Sequence, residues 1–451
     1  MRTYQFLILL CFLSSFFCEN GGIKVTITQR LIDSLMDYFY NKYANKYKRN
    51  KIPDDGIAHD MEWGFENLSR NKISLKFDNG FIHVKVEDIH PYFRGKAKIL
   101  GTKRFSAELQ NFKFEVYIKV SSKKVSFGRY LPKVEVEGTP GIRFRLKTDV
   151  SGGIIGGILK GLVSFGKQFL PTITKTFLNS LKMLVNKIGD ELPTQVAIDS
   201  SKGLYLDFTL ASPPQIKSGA LELNSIALLF NEKINSTKDS NRYPLTYLPS
   251  FWFYRNQLQL YVSEYFFNSA IYTLIKTHEK PIVVNSKTTM IGQMLPGLIE
   301  VYGDKNAKLT ISKLDNSNVK LTHDCINVNA IGLFTINVEG INEPVYECEI
   351  EVSIKAKLSI LSGPKLSSEI LDMSSNVKSI ITNKNPKVKS PLVGSALALV
   401  NTLFTPILKE LTRKDFELKF PTVLGIEFKD VTLDVREHML VINYNINQRF
   451  P

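Results

Sequence analysis

The sequence predicts an α+β fold built from two similar halves, in which long helices lie across a strongly curved antiparallel sheet. Three observations support this prediction. A strand-helix segment occurs twice, 235 positions apart. Segments that alternate between apolar and polar residues fill the middle of each half, and a second long helical pattern follows each block of strands. The 451 residues, 43% of them hydrophobic, are ample material for large cores.

The N-terminal segment MRTYQFLILLCFLSSFFCEN predicts a secretory signal peptide. One basic residue precedes an apolar run from Phe6 to Cys18, which is too short for a membrane-spanning helix. We expect cleavage near Cys18 and a secreted, extracellular protein. In that compartment Asn67 (NLS) and Asn235 (NST) become candidate glycosylation sites.

The repeat begins with the strand-helix segment. VTITQRLIDSLMDYFY at 25–40 aligns without gaps with LYVSEYFFNSAIYTLI at 260–275, and the same offset places Pro171 on Pro406 inside two further helical patterns. In the second copy, a 3.6-residue period divides the helix into an apolar and a polar half-circle. We expect the apolar half-circle, which is unusually wide, to face a curved sheet. Its members are Phe266, Phe267, Ala270, Ile271, Leu274 and Ile275.

Between the two helices of each half the pattern is mainly β. ISLKF, FIHVKVEDI, FKFEVYIKV and IRFRL alternate with period two in the first half, and the second half does the same from about Lys308 to Leu361. The joint between the halves lies in the segment from Ala211 to Trp252, whose ends are rich in Ser, Pro and Asn.

Two cysteines remain outside the predicted signal peptide. Cys325 and Cys348 lie on two alternating segments that flank a turn at 339–344. This arrangement predicts a cross-strand disulfide in an oxidising compartment, and the alternative is a pair of buried free thiols. A zinc site is not expected, because two thiols with only His323 nearby fall short of four ligands.

The formal net charge of +15 is unevenly distributed along the chain. Residues 21–210 carry +12 and residues 211–451 carry +3, and the window from Arg94 to Lys147 alone holds 14 basic and 4 acidic residues. Such a concentration is compatible with an ordinary solvated surface, but it favours an anionic partner such as nucleic acid, a lipid headgroup or a glycan.

Signatures of catalysis are absent from the sequence. The six histidines include no pair at metal-binding spacing, and there is neither a GxSxG elbow nor a phosphate-binding loop ending in GK[ST]. We therefore expect no enzymatic activity, no metal and no cofactor. A nucleic-acid partner is not expected either, because the aromatic residues lie inside alternating strands and on apolar helix faces.

The order of these segments resembles the lipid-binding family that includes bactericidal/permeability-increasing protein, lipopolysaccharide-binding protein, and the phospholipid and cholesteryl ester transfer proteins. The resemblance covers nearly all of the mature chain. GIKVTITQRLID resembles the opening strand and helix of the family, LYVSEYFFNSA the start of its second domain, and the ASPP joint its interdomain linker. The ending FPTVLGIEFKDVTLDVREHMLVINYNI resembles its terminal strands.

This resemblance implies an elongated boomerang of two duplicated barrels, each a curved antiparallel sheet wrapped with long helices, joined by a central sheet. It divides the chain into a signal peptide (1–18), an N-terminal lipid-binding barrel (19–212), a linker and central sheet (213–255) and a C-terminal lipid-binding barrel (256–451). An apolar pocket in each barrel would hold a phospholipid-like lipid as ligand. Familiar members carry a disulfide in the first domain, whereas this chain has no cysteine there after the signal peptide.

The resemblance also implies two kinds of site. Basic residues of the first barrel tip would bind an anionic headgroup, and those that match are Lys46, Lys48, Arg49, Lys51, Lys96, Lys98, Lys103 and Arg104. Apolar helix faces would line the lipid pockets through Leu31, Leu35, Phe39, Leu162, Phe165, Phe169, Phe266, Ile271, Leu274, Leu399, Leu403 and Ile407. Most such residues are plain core in proteins of this size.

We therefore expect a secreted protein that binds or transfers phospholipids. Its basic tip would contact a membrane surface, a lipoprotein surface or lipopolysaccharide. One alternative is an innate-immune, antibacterial protein that recognises bacterial lipopolysaccharide and carries lipid only structurally. The other is a structural or adhesive secreted protein whose pockets are simply cores.

Overall fold

The structure, a computed structural model, describes eleven segments of the chain. They are residues 20–51, 58–98, 102–126, 129–150, 194–217, 219–234, 246–248, 256–277, 281–361, 365–389 and 428–446. The predicted signal peptide and Asn235 lie outside them, as do the predicted pocket residues Leu162, Phe165, Phe169, Leu399, Leu403 and Ile407.

Antiparallel strands dominate the described residues, and helices are few. The helices are α1 (Gln29–Lys48), α2 (Glu264–Thr277), α3 (Thr288–Ile291) and α4 (Leu298–Tyr302). The strands of the first half are β1 (Asn20–Gly21), β2 (Ile23–Thr28), β3 (Asn50–Lys51), β4 (Ala58–Glu66), β5 (Ile73–Asp78), β6 (Phe81–Lys98), β7 (Thr102–Ser126), β8 (Arg129–Val150), β9 (Gln195–Asp199) and β10 (Leu204–Asp207). The remaining strands are β11 (Gln215–Lys217), β12 (Ala220–Ser225), β13 (Leu228–Asn231), β14 (Thr246–Tyr247), β15 (Leu258–Ser263), β16 (Ile282–Lys287), β17 (Asn306–Thr322), β18 (Cys325–Val338), β19 (Tyr346–Leu361), β20 (Lys365–Asn383), β21 (Phe428–Arg436) and β22 (Met439–Ile446).

A six-stranded sheet in the order β11-β12-β2-β15-β22-β21 joins the two halves. Its middle strands, β2 and β15, are the two copies of the predicted repeat, and they pair with each other in antiparallel fashion with Val25 opposite Leu260. These two residues are also the pair that the 235-residue offset superimposes, so the repeat has a local two-fold axis at this point. A hairpin flanks each middle strand, β11-β12 on one side and β21-β22 on the other. The strand of the first half that corresponds to β22 is therefore β12. The alternating segment LYLDFTL at 204–210, which the sequence suggests as the counterpart of LVINYNI at 440–446, instead contributes β10 to a separate three-stranded sheet.

The centre of this sheet is fully enclosed. All six residues of β2 are buried, which explains why the strand is rich in β-branched residues. It nevertheless contains one cation: Lys24, 1% exposed, lies 2.9 Å from a carboxylate oxygen of Glu222 on β12. The corresponding position in the second half is Gln259, which donates a hydrogen bond to the Asn443 side chain at 2.8 Å. One half therefore uses an ion pair where the other uses two neutral amides.

Each half adds a larger sheet that extends away from the centre. The first has the order β3-β4-β6-β7-β8 with β5 on β6, and the second the order β16-β17-β18-β19-β20. The backbone N–H of Phe77, near the β5-β6 turn, donates a hydrogen bond to the side chain of Gln29. Gln29 is the first residue of α1 and directly follows β2, so β6 starts beside the central sheet. The end of β17 likewise reaches the β21-β22 turn, where the backbone N–H of His438 donates to Leu321. With about 3.3 Å per residue, Lys98 at the end of β6 and Asn306 at the start of β17 lie about 50 Å along their strands from those contacts.

The predicted Cys325–Cys348 disulfide is wrong, because both cysteines are free and buried. The turn is where the sequence placed it, but the register of β18 and β19 sets Cys348 opposite Phe334 and Cys325 opposite Lys357. Nine strand residues, about 30 Å, therefore separate the two thiols, whereas a disulfide requires Cα atoms within about 7 Å. Burial raises the pKa of the Cys348 thiol to about 11, so this group is a protonated, apolar member of the core.

A search for helices able to cross a membrane finds none within the described segments. Across the same segments, no group of three or more His, Cys, Asp or Glu side chains is arranged to hold a metal ion.

Candidate functional sites

Helix α2 packs with the face opposite to the one the sequence indicated. Its polar half-circle is buried: Tyr265 is 1% exposed, and Ser269 and Thr273 are 0% exposed. Its apolar half-circle is only partly covered, since Phe266 and Ile271 are half-buried at the edge of the largest apolar cluster. The half-buried members of that face are Phe266, Phe267, Ala270, Ile271 and Ile275, and the Leu274 side chain lies outside the described part.

Hydrogen bonds to strand backbones explain this inversion. The Asn268 side chain brackets Val319 of β17, donating to its carbonyl at 3.0 Å and accepting from its N–H at 2.7 Å. On the same side of the helix, the Thr273 hydroxyl donates to the carbonyl of Leu229 in β13 at 2.9 Å. Backbone groups need partners when they are buried, so the polar side of the helix is held against β13 and β17, and the apolar side packs only partly against the largest apolar cluster.

The first copy of the repeat docks in a related way. Gln29, the first residue of α1, brackets β5 by donating to the Leu75 carbonyl at 2.7 Å and accepting from the Phe77 N–H at 2.9 Å. The 235-residue offset places Gln29 on Glu264, whose carboxylate accepts the N–H of Leu321 at 2.6 Å. A polar side chain at the start of each helix therefore anchors it to a strand of its own half.

The predicted pocket residues of α1 lie deeper than those of α2. Leu31 and Leu35 are each 1% exposed within the largest apolar cluster, and the Phe39 side chain lies outside the described part. Of the twelve predicted pocket residues, Phe266 and Ile271 are thus the two whose side chains are described and only partly covered by protein.

Replacing Asn268 with leucine should destabilise the fold, because two buried backbone groups of Val319 would lose their partner. A buried group left unsatisfied costs about 1–3 kcal/mol, so we expect the free energy of unfolding to fall by about 2–4 kcal/mol in urea titrations. Asn268→Asp keeps the acceptor and loses the donor, so its free energy of unfolding should lie between those of the wild type and Asn268→Leu. Asn327→Leu, which removes an exposed bond to Thr322, is the control and should change stability little. An Asn268→Leu variant as stable as the wild type would contradict this role.

The two predicted basic stretches come together on adjacent strands. Antiparallel partners share a face of the sheet, and the register of β3, β4, β6 and β7 produces two rows on one face. One row contains Lys51, Glu62 and Arg94, and the next contains His59, Lys96 and Arg104. Lys51 and Arg104 are exposed, and Lys96 is half-buried. We call these two rows the basic face.

The predicted residues are not equivalent within this arrangement. Lys98 pairs with Thr102. Lys103 pairs with Ala97, so this pair is shifted by one residue along the strands from the Lys96–Arg104 pair. Lys46 and Lys48 belong to the last turn of α1, with side chains outside the described part. Arg49 follows them and is exposed.

Carboxylates of β4 organise the cations, and Glu62 and Asp60 make the shortest pairs. Glu62, 6% exposed, accepts hydrogen bonds from Arg94 and from Arg49, the latter at 2.5 Å. The bond from Arg94, reinforced by Arg49, lowers the pKa of Glu62 below its ordinary value against the opposing effect of burial, so this carboxylate is ionised at neutral pH. Asp60 pairs with Lys96 at 2.5 Å. Even so, residues 45–66 and 94–104 together carry nine basic and five acidic residues, which is a net charge of +4.

Sequence reasoning missed Glu62 and Arg94 as members of the basic face and Asn268 as an anchor. Arg94 opens the RGKAKILGTKRF hairpin, so its position in the stretch was a usable signal. Glu62 could not be found in this way, because its role depends on β4 lying between β3 and β6.

Comparisons with known proteins complete these observations. The model of the LBP / BPI / CETP family, C-terminal domain, matches residues 198–448. A search of curated proteins returns no match. Among solved structures, lipopolysaccharide binding protein is 18% identical with a TM-score of 0.46, over 95% of this chain and 99% of that chain. P47 from Clostridium botulinum A2 is 12% identical with a TM-score of 0.30, over 96% of this chain and 98% of that chain.

Proposed function

Since the chain belongs to the LBP / BPI / CETP family, we propose that it is a secreted, non-enzymatic protein that binds phospholipid-like lipids and carries them between surfaces. The observation behind the proposal is the inverted packing of α2. A helix that is held to its strands through Asn268 and Thr273 leaves Phe266 and Ile271 half-buried beside the largest apolar cluster, where part of each side chain is free to contact an acyl chain. Burial of an acyl chain against such a face contributes about 0.8 kcal/mol per methylene, so no covalent chemistry or metal is needed.

The proposal extends to the architecture. We propose one apolar pocket in each of two barrels, the first formed from residues 19–212 and the second from residues 256–451, with the linker and central sheet of residues 213–255 between them. The pairing of β2 with β15 about a local two-fold axis supports this duplication. Secretion after removal of residues 1–18 and glycosylation at Asn67, which is exposed, belong to the same proposal.

The basic face supports docking to an anionic lipid surface. Lys96 and Arg104 lie directly opposite each other, Arg104 is exposed, and Lys51 is exposed in the neighbouring row. An anionic headgroup over these cations would gain charge-assisted hydrogen bonds in addition to the Lys96–Asp60 pair that is already present. The same observation favours a second candidate function, recognition of the phosphates of bacterial lipopolysaccharide, with the lipid of the pockets then serving a structural purpose.

Native mass spectrometry tests the pocket. Protein purified from a lipid-containing host should carry phospholipid, and the double variant Phe266→Glu/Ile271→Glu should lose the lipid of the second half, because charged side chains cannot remain buried against an acyl chain. The control Phe266→Leu/Ile271→Val keeps the face apolar and should retain the lipid. Wild-type protein free of lipid, or a glutamate variant with an unchanged lipid load, would overturn the proposal.

A further inference from the structure

A small lobe of the second half exposes unusually large apolar side chains. It consists of α3, α4 and their connections, residues 288–305. Met290 is 66% exposed, the highest value among the large apolar side chains that the structure describes, and Ile299 on α4 is 42% exposed. Ile299 lies against Gly292, two residues after Met290, so the two exposed side chains belong to one surface element. Exposed apolar side chains that cluster in this way mark interaction surfaces.

The lobe is firmly attached to the sheet beneath it. Ile291, Leu295 and Leu298 are at most 1% exposed and belong to the apolar cluster formed with β17, β18 and β19. At Gly297, which has φ +89°, a Cβ atom would come within 2.0 Å of the Lys387 carbonyl oxygen, so only glycine permits this contact. Met290 and Ile299 are therefore presented by a packed element.

Several lysines lie next to the lobe. The Thr288 N–H of α3 donates to the carbonyl of Lys305 at 2.9 Å, and the N–H of Lys389 donates to the carbonyl of Pro296 at 2.9 Å. Lys308 and Met290 line the same surface groove of about 740 Å³. The exposed lysines of this surface are Lys305, Lys308, Lys387 and Lys389, and no ion pair joins any of them to a carboxylate among the described residues.

Acidic groups are also present, but most are engaged. Asp304 pairs with Lys287 at 3.1 Å, and Glu339 accepts a bond from Asn306 at 2.8 Å. Glu343, further along the β18-β19 turn, pairs with Lys384. Glu300 on α4 is the remaining carboxylate of the lobe. The surface thus combines two protruding apolar side chains with an excess of cations.

The lobe lies where the repeat would put a counterpart of the basic stretch. The 235-residue offset maps residues 45–56 of the first half onto residues 280–291, which end in α3. The described end of the first region, β3, and the lobe each lie toward the far end of a long sheet, about 40–50 Å along the strands from the central sheet. The chemistry differs: the first end is polar and basic, whereas the second end is apolar with a basic margin.

We propose that the lobe is a second membrane-docking surface, which inserts Met290 and Ile299 into the interfacial region of an anionic bilayer while Lys305, Lys308, Lys387 and Lys389 contact headgroup phosphates. Apolar side chains that enter the acyl boundary and lysines at the headgroup level are the two components of interfacial binding. Charge complementarity favours a lipid surface over a second copy of this basic chain. The proposal adds a surface to the proposed function and does not depend on occupancy of the pockets.

Co-sedimentation with vesicles of phosphatidylcholine and phosphatidylserine tests the surface. The full-length double variant Met290→Glu/Ile299→Glu should bind these vesicles at least tenfold more weakly than the wild type. The matched control Val125→Glu/Ile198→Glu alters two other exposed apolar side chains, 52% and 58% exposed, and should bind as the wild type does. Equal binding by Met290→Glu/Ile299→Glu and the wild type would overturn the proposal, as would a variant that changes only self-association in analytical ultracentrifugation.

A labelled variant reports insertion directly. An environment-sensitive fluorophore on Met290→Cys should shift to shorter wavelength when vesicles are added, whereas the same label on Ile198→Cys should not. Native mass spectrometry of the same preparations separates the two proposals. Lipid-free protein whose Met290 label still shifts would refute the pocket and retain the surface, and lipid-loaded protein whose label does not shift would refute the surface alone.

Discussion

Reversing the charges of Lys51, Lys96 and Arg104 together is expected to weaken binding to vesicles that contain an anionic lipid by about 100-fold. Each cation near such a surface contributes about 1 kcal/mol, and three of them correspond to about two decades in affinity. Surface plasmon resonance on supported bilayers at several salt concentrations would measure the change. Wild-type binding should weaken steeply with salt, and the variant should have a flatter dependence because fewer cations contact phosphates.

The control is a reversal of the same number of charges elsewhere. Lys76, Lys217 and Lys320 are exposed lysines outside the basic face, and their triple change to glutamate alters the net charge by the same amount. If the two triple variants lose affinity equally, attraction depends on total charge and the basic face has no special role. Repeating the measurement with lipopolysaccharide micelles would separate the two candidate functions. A loss of affinity by the Lys51/Lys96/Arg104 variant that is restricted to lipopolysaccharide would favour bacterial recognition over phospholipid transport.

Replacing Lys24 with methionine is expected to lower the free energy of unfolding by about 3–5 kcal/mol, because Glu222 would lose its ion-pair partner while buried in the central sheet. The double variant Lys24→Gln/Glu222→Gln should recover most of the loss, since it leaves no uncompensated charge in the sheet; the residue at the corresponding position of the other half, Gln259, is neutral as well. Urea unfolding followed by circular dichroism measures both. If the single and double variants lose equal stability, the cost arises from packing and not from an uncompensated charge.

Much of the fold follows from local patterns in the chain. The alternation of ISLKF and FIHVKVEDI predicted β5 and β6, and the turn at 339–344 lies between β18 and β19. The alignment of Val25 with Leu260 predicted a repeat, and the register of the central sheet has the same two residues face to face. These features were predictable because side-chain periodicity and turn chemistry act over a few residues.

The basic face was predictable from the sequence only in part. Its cations were identified from two stretches of sequence, but the order of strands decides that Lys51, Glu62 and Arg94 form one row. Strand order depends on contacts between residues far apart in the chain, and a composition window contains no information about it. For the same reason the charge count could not show that Glu62 and Asp60 engage Arg94, Arg49 and Lys96.

The amphipathic pattern of residues 260–275 determined that a strand runs into a helix with one apolar and one polar side, because that depends only on the identity and spacing of the residues. Which side would be buried was decided by the tertiary structure. The backbone groups of Val319 and Leu229 need hydrogen-bond partners, so the polar side turns inward and Phe266 and Ile271 are left half-covered. The cysteines show the same limit: alternation placed Cys325 and Cys348 on neighbouring strands, and register, a long-range property, kept the thiols apart.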